Sequence, residues 1–268
     1  MNIVVCVKHV PDATADRTFN DSDNTVDRVG VDGLLSELDE YAVEQALQVK
    51  EKFAEDSEVT VLTVGPEQAS DAIRKGLQMG ADKAVHVVDD AIAGSDAVAT
   101  SLVLARALEK LREDVDTAWD LVVCGMASTD GSMGVLPAML AERLGVPAVT
   151  LGSKVDMSGD KLRIRRDGDT ATEIIEGTLP LVLSVTDQSG EARYPSFKGI
   201  MAAKKKPVET WSLADLGVDA GQVGLSVAWS QVEDTTPRPP RTAGEIVTDE
   251  GGSGATALVE FLASKKFV

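Results

Sequence analysis

Residues 121–144 read LVVCGMASTDGSMGVLPAMLAERL, and this stretch decides the fold. Leu121 to Cys124 is a short apolar run ending at Gly125. A run of Ser, Thr, Asp and Gly follows. Leu136, Met139, Leu140 and Leu144 then recur at helical three- and four-residue steps. The pattern predicts a strand, a polar glycine-rich turn and a helix. A helix N-terminus carries unpaired N–H groups and a positive dipole end. Gly125, Gly131 and Gly134 would let an anion approach that backbone closely. The turn therefore reads as a phosphate cradle. Its spacing is neither GxGxxG nor a Walker-type loop, so an ordinary strand-to-helix loop capped by Asp or Ser stays open as an alternative.

The same alternation of strand and helix fills the first half of the chain. Asn2 to Val7 is a β-branched run typical of a buried parallel strand. Arg17 to Val29 is polar and alternating and suggests a small edge hairpin. Ser36 is placed to cap a helix from Glu37 to Phe53, with Leu38, Ala42, Ala46, Val49 and Phe53 as its apolar stripe. Glu58 to Val64 is a second strand, and Glu67 to Met79 a helix that Gly80 ends. Lys83 to Val88 is a third strand. Ser95 or Asp96 caps a helix running to about Arg112, and Pro147 to Leu151 is a fifth strand after the one at Leu121. This order predicts an α/β domain with a doubly wound, mostly parallel sheet, Rossmann-like and suited to an adenine nucleotide. Ligands of such sheets lie outside the carboxyl ends of the strands, where Cys6, Val64 and the Gly125–Met133 turn would converge.

After Gly152 the pattern changes. Lys161 to Arg166, Thr170 to Glu176 and Leu179 to Thr186 suggest antiparallel strands added at the sheet edge, with Asp167-Gly168-Asp169 as a turn. Asp187 to Lys206 has no clear period; its apolar residues on a loop flanked by charge suggest either a docking surface or packing onto its own domain. The division expected is a nucleotide-binding domain over 1–206 and an extended arm over 207–268. The arm would hold a short helix near Leu213 to Leu216, the extended Pro237 to Arg241, and a last helix from Ala255 to Lys265.

Composition narrows the function. The net charge of −18 argues against nucleic acid as a general partner. No apolar run approaches the ~18 residues that span a bilayer, so no membrane insertion is expected. No signal segment is read at the N-terminus, and two cysteines, Cys6 and Cys124, suit a reducing cytoplasm. His9 and His86 leave little for a metal site, and each reads as a solvated strand-end residue. No catalytic residue is singled out: the turn from Gly125 to Gly134 holds no Lys, Arg or His, against a nucleotide hydrolase or ligase.

RYPSFKGIMAAKKKP at Arg193–Pro207 resembles the signature of the electron transfer flavoprotein β subunit, of the bacterial, actinobacterial-like kind. Other motifs of that family fall in order: VKHV at Val7–Val10, EYAVEQAL at Glu40–Leu47, GP at Gly65–Pro66, MGADKAVHV at Met79–Val87 and RTAG at Arg241–Gly244. The resemblance implies an electron-carrying subunit, not an enzyme. Its partner would be an α subunit that mainly holds FAD, and its own site would hold a structural AMP. Electrons would come from acyl-CoA and other flavin dehydrogenases and leave toward a membrane quinone oxidoreductase, as in fatty acid β-oxidation. Carried over by position, AMP would lie against Cys6, Ser36, Leu38, Asp39, Val64, Gly125, Ala127, Ser128, Thr129, Asp130, Gly131, Ser132 and Met133. Tyr194, Phe197, Ile200 and Met201 would dock dehydrogenases, and Asp167 would steer the mobile flavin domain. Phe197 stands where many relatives have leucine. The turn reads STDGSMG where many relatives place Asn or Gln, which leaves backbone donors intact but weakens side-chain contacts. Two alternatives accompany this reading: a bifurcating form with a second FAD at the site, and a stand-alone adenine-nucleotide sensor.

Overall fold

The fold is that of a computed structural model, which describes residues 1–113, 118–236 and 238–268. Strands and helices follow in chain order as β1 (Asn2–Cys6), β2 (His9–Pro11), β3 (Gly33–Leu35), α1 (Glu37–Phe53), β4 (Glu58–Val64), α2 (Ser70–Met79), β5 (Lys83–Val87), α3 (Ala97–Glu113) and β6 (Leu121–Gly125). Then come α4 (Leu136–Leu144), β7 (Ala148–Gly152), β8 (Lys154–Ser158), β9 (Lys161–Asp167), β10 (Thr172–Thr178), β11 (Leu181–Val185), α5 (Phe197–Ala203), β12 (Val208–Trp211) and α6 (Ser253–Ser264). The main sheet has seven strands in the order β12-β5-β4-β1-β6-β11-β7. Every pairing in it is parallel. The α/β class and the parallel sheet match the reading of the sequence.

Side chains alternate between the two faces, as the pleat requires. Ile3 and Val5 of β1 join the layer with α1 and α2, whereas Val4 joins the layer with α3 and α4. Trp119 is fully buried in the second layer, and its indole N–H donates to Leu108 O at 2.8 Å. Asp96, rather than Ser95, caps α3 by accepting from Ala99 N at 3.0 Å. On α1, Ala42, Ala46 and Val49 are buried as the stripe predicts, but Phe53 is exposed at the helix end.

Several expectations are corrected. Leu181–Val185 is not an antiparallel edge strand; it lies inside the sheet, parallel to β6 and β7. All five residues are buried, four of them apolar and the fifth Ser184, as suits a strand covered on both faces in a parallel sheet. The antiparallel strands are a separate three-stranded sheet, β10-β9-β8, inserted between β7 and β11. Leu162 and Ile164 of β9 are buried in the α1–α2 layer, which anchors that sheet. The hairpin expected over Arg17–Val29 is reduced to one antiparallel bridge, Phe19 to Val26. His86 is buried within β5, with Nε2 3.1 Å from Gly65 O, and is not a solvated strand end. Burial lowers its pKa.

The chain divides into two compact units, Met1–Glu233 and Asp234–Val268. The break falls beyond Lys206 because β12 extends the main sheet alongside β5, and Leu213, Leu216, Val218 and Val223 are buried in the α3–α4 layer. The second unit contains α6, whose Leu258, Val259 and Phe261 are exposed. Pro237, the first residue of the stretch expected to be extended, lies outside the described residues.

Candidate functional site

The strand order reverses direction about β1: α1 leads from β1 to β4 on one side, and β6 lies on the other. Crevices at such reversals receive ligands because neighbouring loops diverge there. Cys6 and Cys124 are register partners at the carboxyl ends of β1 and β6. A hydrogen bond with the Cys6 thiol, and burial, raise the pKa of Cys124. Val64 ends β4 on the same edge and packs, with Cys6, against the α3–α4 layer.

The start of α1 reaches over this edge. A Cβ on Gly125 would stand 2.5 Å from Asp39 Oδ1 and 2.7 Å from Leu38 O, so only glycine permits the approach. Asp39 is buried and accepts from Lys8 N at 2.9 Å. Burial pushes its pKa up to about 7, against the hydrogen bonds from Lys8 N and Gly125 N. Ser36 occupies the N-cap position of α1, but its hydroxyl makes no bond within the helix. It instead accepts from Thr129 N at 3.4 Å, tying the helix start to the turn.

The turn is held from outside by a cluster that the sequence did not reveal. The side chain of Asp130 is almost wholly buried and pairs with Lys8 Nζ at 2.8 Å and Arg28 Nη2 at 2.5 Å. Its Oδ1 also accepts from Gly131 N at 2.7 Å. Burial opposes its charge, but Lys8, Ser128 and Arg28 overcome this and hold its carboxyl well below the usual range. Arg17 donates to Asp130 O at 2.8 Å and to Thr129 O. These cations come from a segment more than a hundred residues earlier, so no local spacing could announce them.

Within the turn so held, Ser132 N donates to Ser128 O at 3.0 Å, and Ser132 and Gly134 adopt left-handed φ of 52° and 65°. Among the described residues, the N–H groups of Ala127, Ser128, Met133 and Gly134 donate to no protein acceptor. The buried Thr129 hydroxyl also has no partner. Orphaned donors beside a positive cluster suit an anion. The thirteen residues expected to hold a nucleotide thus gather at one sheet edge, with Met133 as an exposed member.

A second feature lies at α5. Tyr194 is 92% exposed, Phe197 82% and Met201 50%, with Ile200 less so. The stretch without clear period contains this seven-residue helix, and the Ser196 side chain accepts from Gly199 N at 3.0 Å. Lys206, the last of the lysine run, donates to Leu77 O and Ala81 O at the end of α2, whereas Lys204 and Lys205 are exposed. Asp167 lies elsewhere, at the end of β9. Hydrogen bonds from Ser153, Thr172 and Arg165 lower its pKa to about 2.

This arrangement has known relatives. Residues 23–216, spanning the turn and α5, match the electron transfer flavoprotein domain. The chain belongs to the electron transfer flavoprotein family. It is 48% identical to the electron transfer flavoprotein subunit beta of Mycobacterium tuberculosis, over 100% of this chain and 99% of that one. The corresponding subunit of Clostridium acetobutylicum is 33% identical over the full length of both. A caffeyl-CoA reductase–Etf complex subunit of Acetobacterium woodii is 34% identical over 92% of each chain. Membership in the electron transfer flavoprotein family makes this chain an electron-transfer subunit. The full-length relatives carry the likeness through β1 and α6, which lie outside the domain match.

Proposed function

We propose that this chain is the β subunit of a heterodimeric electron transfer flavoprotein and that its strand-end site holds a structural AMP. The supporting observation is the cluster of unpaired N–H groups at Ala127, Ser128, Met133 and Gly134 together with the buried, unpartnered Thr129 hydroxyl. These donors would take the phosphate, while Leu38, Cys6 and Val64 offer half-buried surface to the rest of the nucleotide. Ser36, Asp39, Asp130, Gly131 and Ser132 would fix the loops around it. FAD, held mainly by the α subunit, supplies the redox chemistry. This chain would contribute binding and orientation as a carrier subunit in the cytoplasm, making no bonds itself. Acyl-CoA and other flavin dehydrogenases would dock on Tyr194, Phe197, Ile200 and Met201, and electrons would pass to a membrane quinone oxidoreductase. The C-terminal arm would pack on the α subunit, and Asp167 would steer the flavin domain.

AMP bound only by the folded state stabilises it, by about 2.7 kcal/mol at a hundredfold excess over Kd. AMP added to nucleotide-stripped heterodimer is therefore expected to raise its melting temperature, and adenosine, without phosphate, to do so far less. The relationship to a caffeyl-CoA reductase–Etf complex subunit supports a second reading, in which the site takes another FAD. Stabilisation by FAD and not by AMP would favour that reading over the first.

A further inference from the structure

The docking segment is fastened at both ends. At its start, Arg193 occupies both sides of its guanidinium fork. Its Nε donates to Glu44 Oε2 at 2.6 Å and its Nη2 to Glu44 Oε1 at 3.2 Å. Its Nη1 and Nη2 donate to Glu51 Oε1 and Oε2 at 2.6 and 2.9 Å. The Arg193 backbone N–H adds a bond to Glu44 Oε2 at 3.2 Å. Glu44 is buried and further held by Gln48 Nε2 at 2.8 Å, while the neighbouring Gln45 donates to Ser189 O at 2.9 Å. At the far end Lys206 caps α2, and Ala203 is buried. Between them, a Cβ on Gly199 would stand 2.5 Å from Gln78 O, so α5 lies directly on the end of α2.

The residues so fastened face solvent. Tyr194 directly follows Arg193, and Phe197 begins α5 three residues later; both are among the most exposed large side chains of the first unit. Apolar side chains held in water forgo the stabilisation that burial would give. The two glutamates lie seven residues apart on α1, hence on one helix face. A bidentate guanidinium between them fixes direction as well as distance, which an ammonium cannot do.

We infer that Arg193 is a positioning residue for partner docking: held by Glu44 and Glu51, it presents Tyr194 and Phe197 in the orientation that a dehydrogenase recognises. This rests on the docking role proposed above. Pre-organised side chains bind without first losing conformational freedom. The clamp therefore acts on encounter affinity and leaves the flavin's own chemistry unchanged.

The test compares heterodimers carrying Arg193→Gln, Arg193→Lys, Glu44→Gln or Phe197→Ala with the wild type. An acyl-CoA dehydrogenase reduces each one at varied heterodimer concentration. Arg193→Gln and Glu44→Gln are expected to raise KM about fivefold or more, with kcat changed less than about twofold. Arg193→Lys, which keeps the charge beside buried Glu44 but loses the fork, is expected to raise KM by less and provides the measurement should Arg193→Gln fail to fold. The flavin absorbance spectrum and bound nucleotide should match the wild type in every variant. A raised KM for Phe197→Ala beside unchanged values for the Arg193 and Glu44 variants overturns the positioning role and leaves the docking role standing. A fall in kcat at unchanged KM in the Arg193 variants also overturns it. An unchanged KM for Phe197→Ala overturns the docking role itself.

Discussion

Asp39 and Asp130 stand at the same turn and respond to pH in opposite senses. Asp39 is buried and, among the described residues, takes its hydrogen bonds from backbone donors, so folding raises its pKa from the ordinary carboxylate value to about 7. Between those two values the folded state holds a proton that the unfolded state has released. Stability from this group therefore falls as pH rises from about 4 to 7, with a slope of at most about 1.4 kcal/mol per pH unit. Asp130 has its pKa depressed by Lys8 and Arg28 despite burial, so its contribution is present above the ordinary carboxylate value and is lost on acidification below it. The stability of the wild type minus that of Asp39→Asn is accordingly expected to fall as pH is raised from 5 to 8. Urea denaturation of both proteins across that range measures the difference, and a flat or rising difference would contradict the assignment. The partners of these carboxylates were the least legible part of the sequence. Lys8, Arg17 and Arg28 meet the turn only through tertiary contact, whereas Gly125 and Ser36 stood out by local pattern.

At the scale of elements, the strands that carry the site were readable because each is a short, largely apolar run rich in β-branched residues, and β4 and β6 run into glycine at Gly65 and Gly125. β1, β4, β5 and β6 fall where the sequence placed them. The orientation of β11 was not readable. The chain leaves β7 for three antiparallel strands and returns, and nothing local in LVLSV records that it re-enters between β6 and β7. β12 was missed because VETW is short and largely exposed at the sheet edge. The corrected position has a measurable consequence. Leu183 is fully buried between β6 and β7, and Leu183→Ala should cost roughly 2–5 kcal/mol. Ile174 on β10 is largely exposed, and Ile174→Ala should cost about 0.5 kcal/mol or less. Equal costs for the two would contradict the placement of β11 within the main sheet.

For the molecule as a whole, one sheet edge gathers the glycine-rich β6–α4 turn, the start of α1 and the cations that hold Asp130, while α5 presents an apolar surface fastened to α1 and α2. The −18 net charge lies over a chain whose positive groups at the turn come from its first thirty residues. An adenine nucleotide at that edge would tie β1, the start of α1 and the β6–α4 turn together, which is how a ligand without redox chemistry can serve an electron carrier. The most direct measurement is the ligand content of this chain purified with its α subunit, released by denaturation and identified by chromatography and mass. One FAD and one AMP per heterodimer are expected. Two FAD and no AMP would contradict the AMP site and assign that edge to a second flavin, and neither flavin nor AMP would contradict the carrier role.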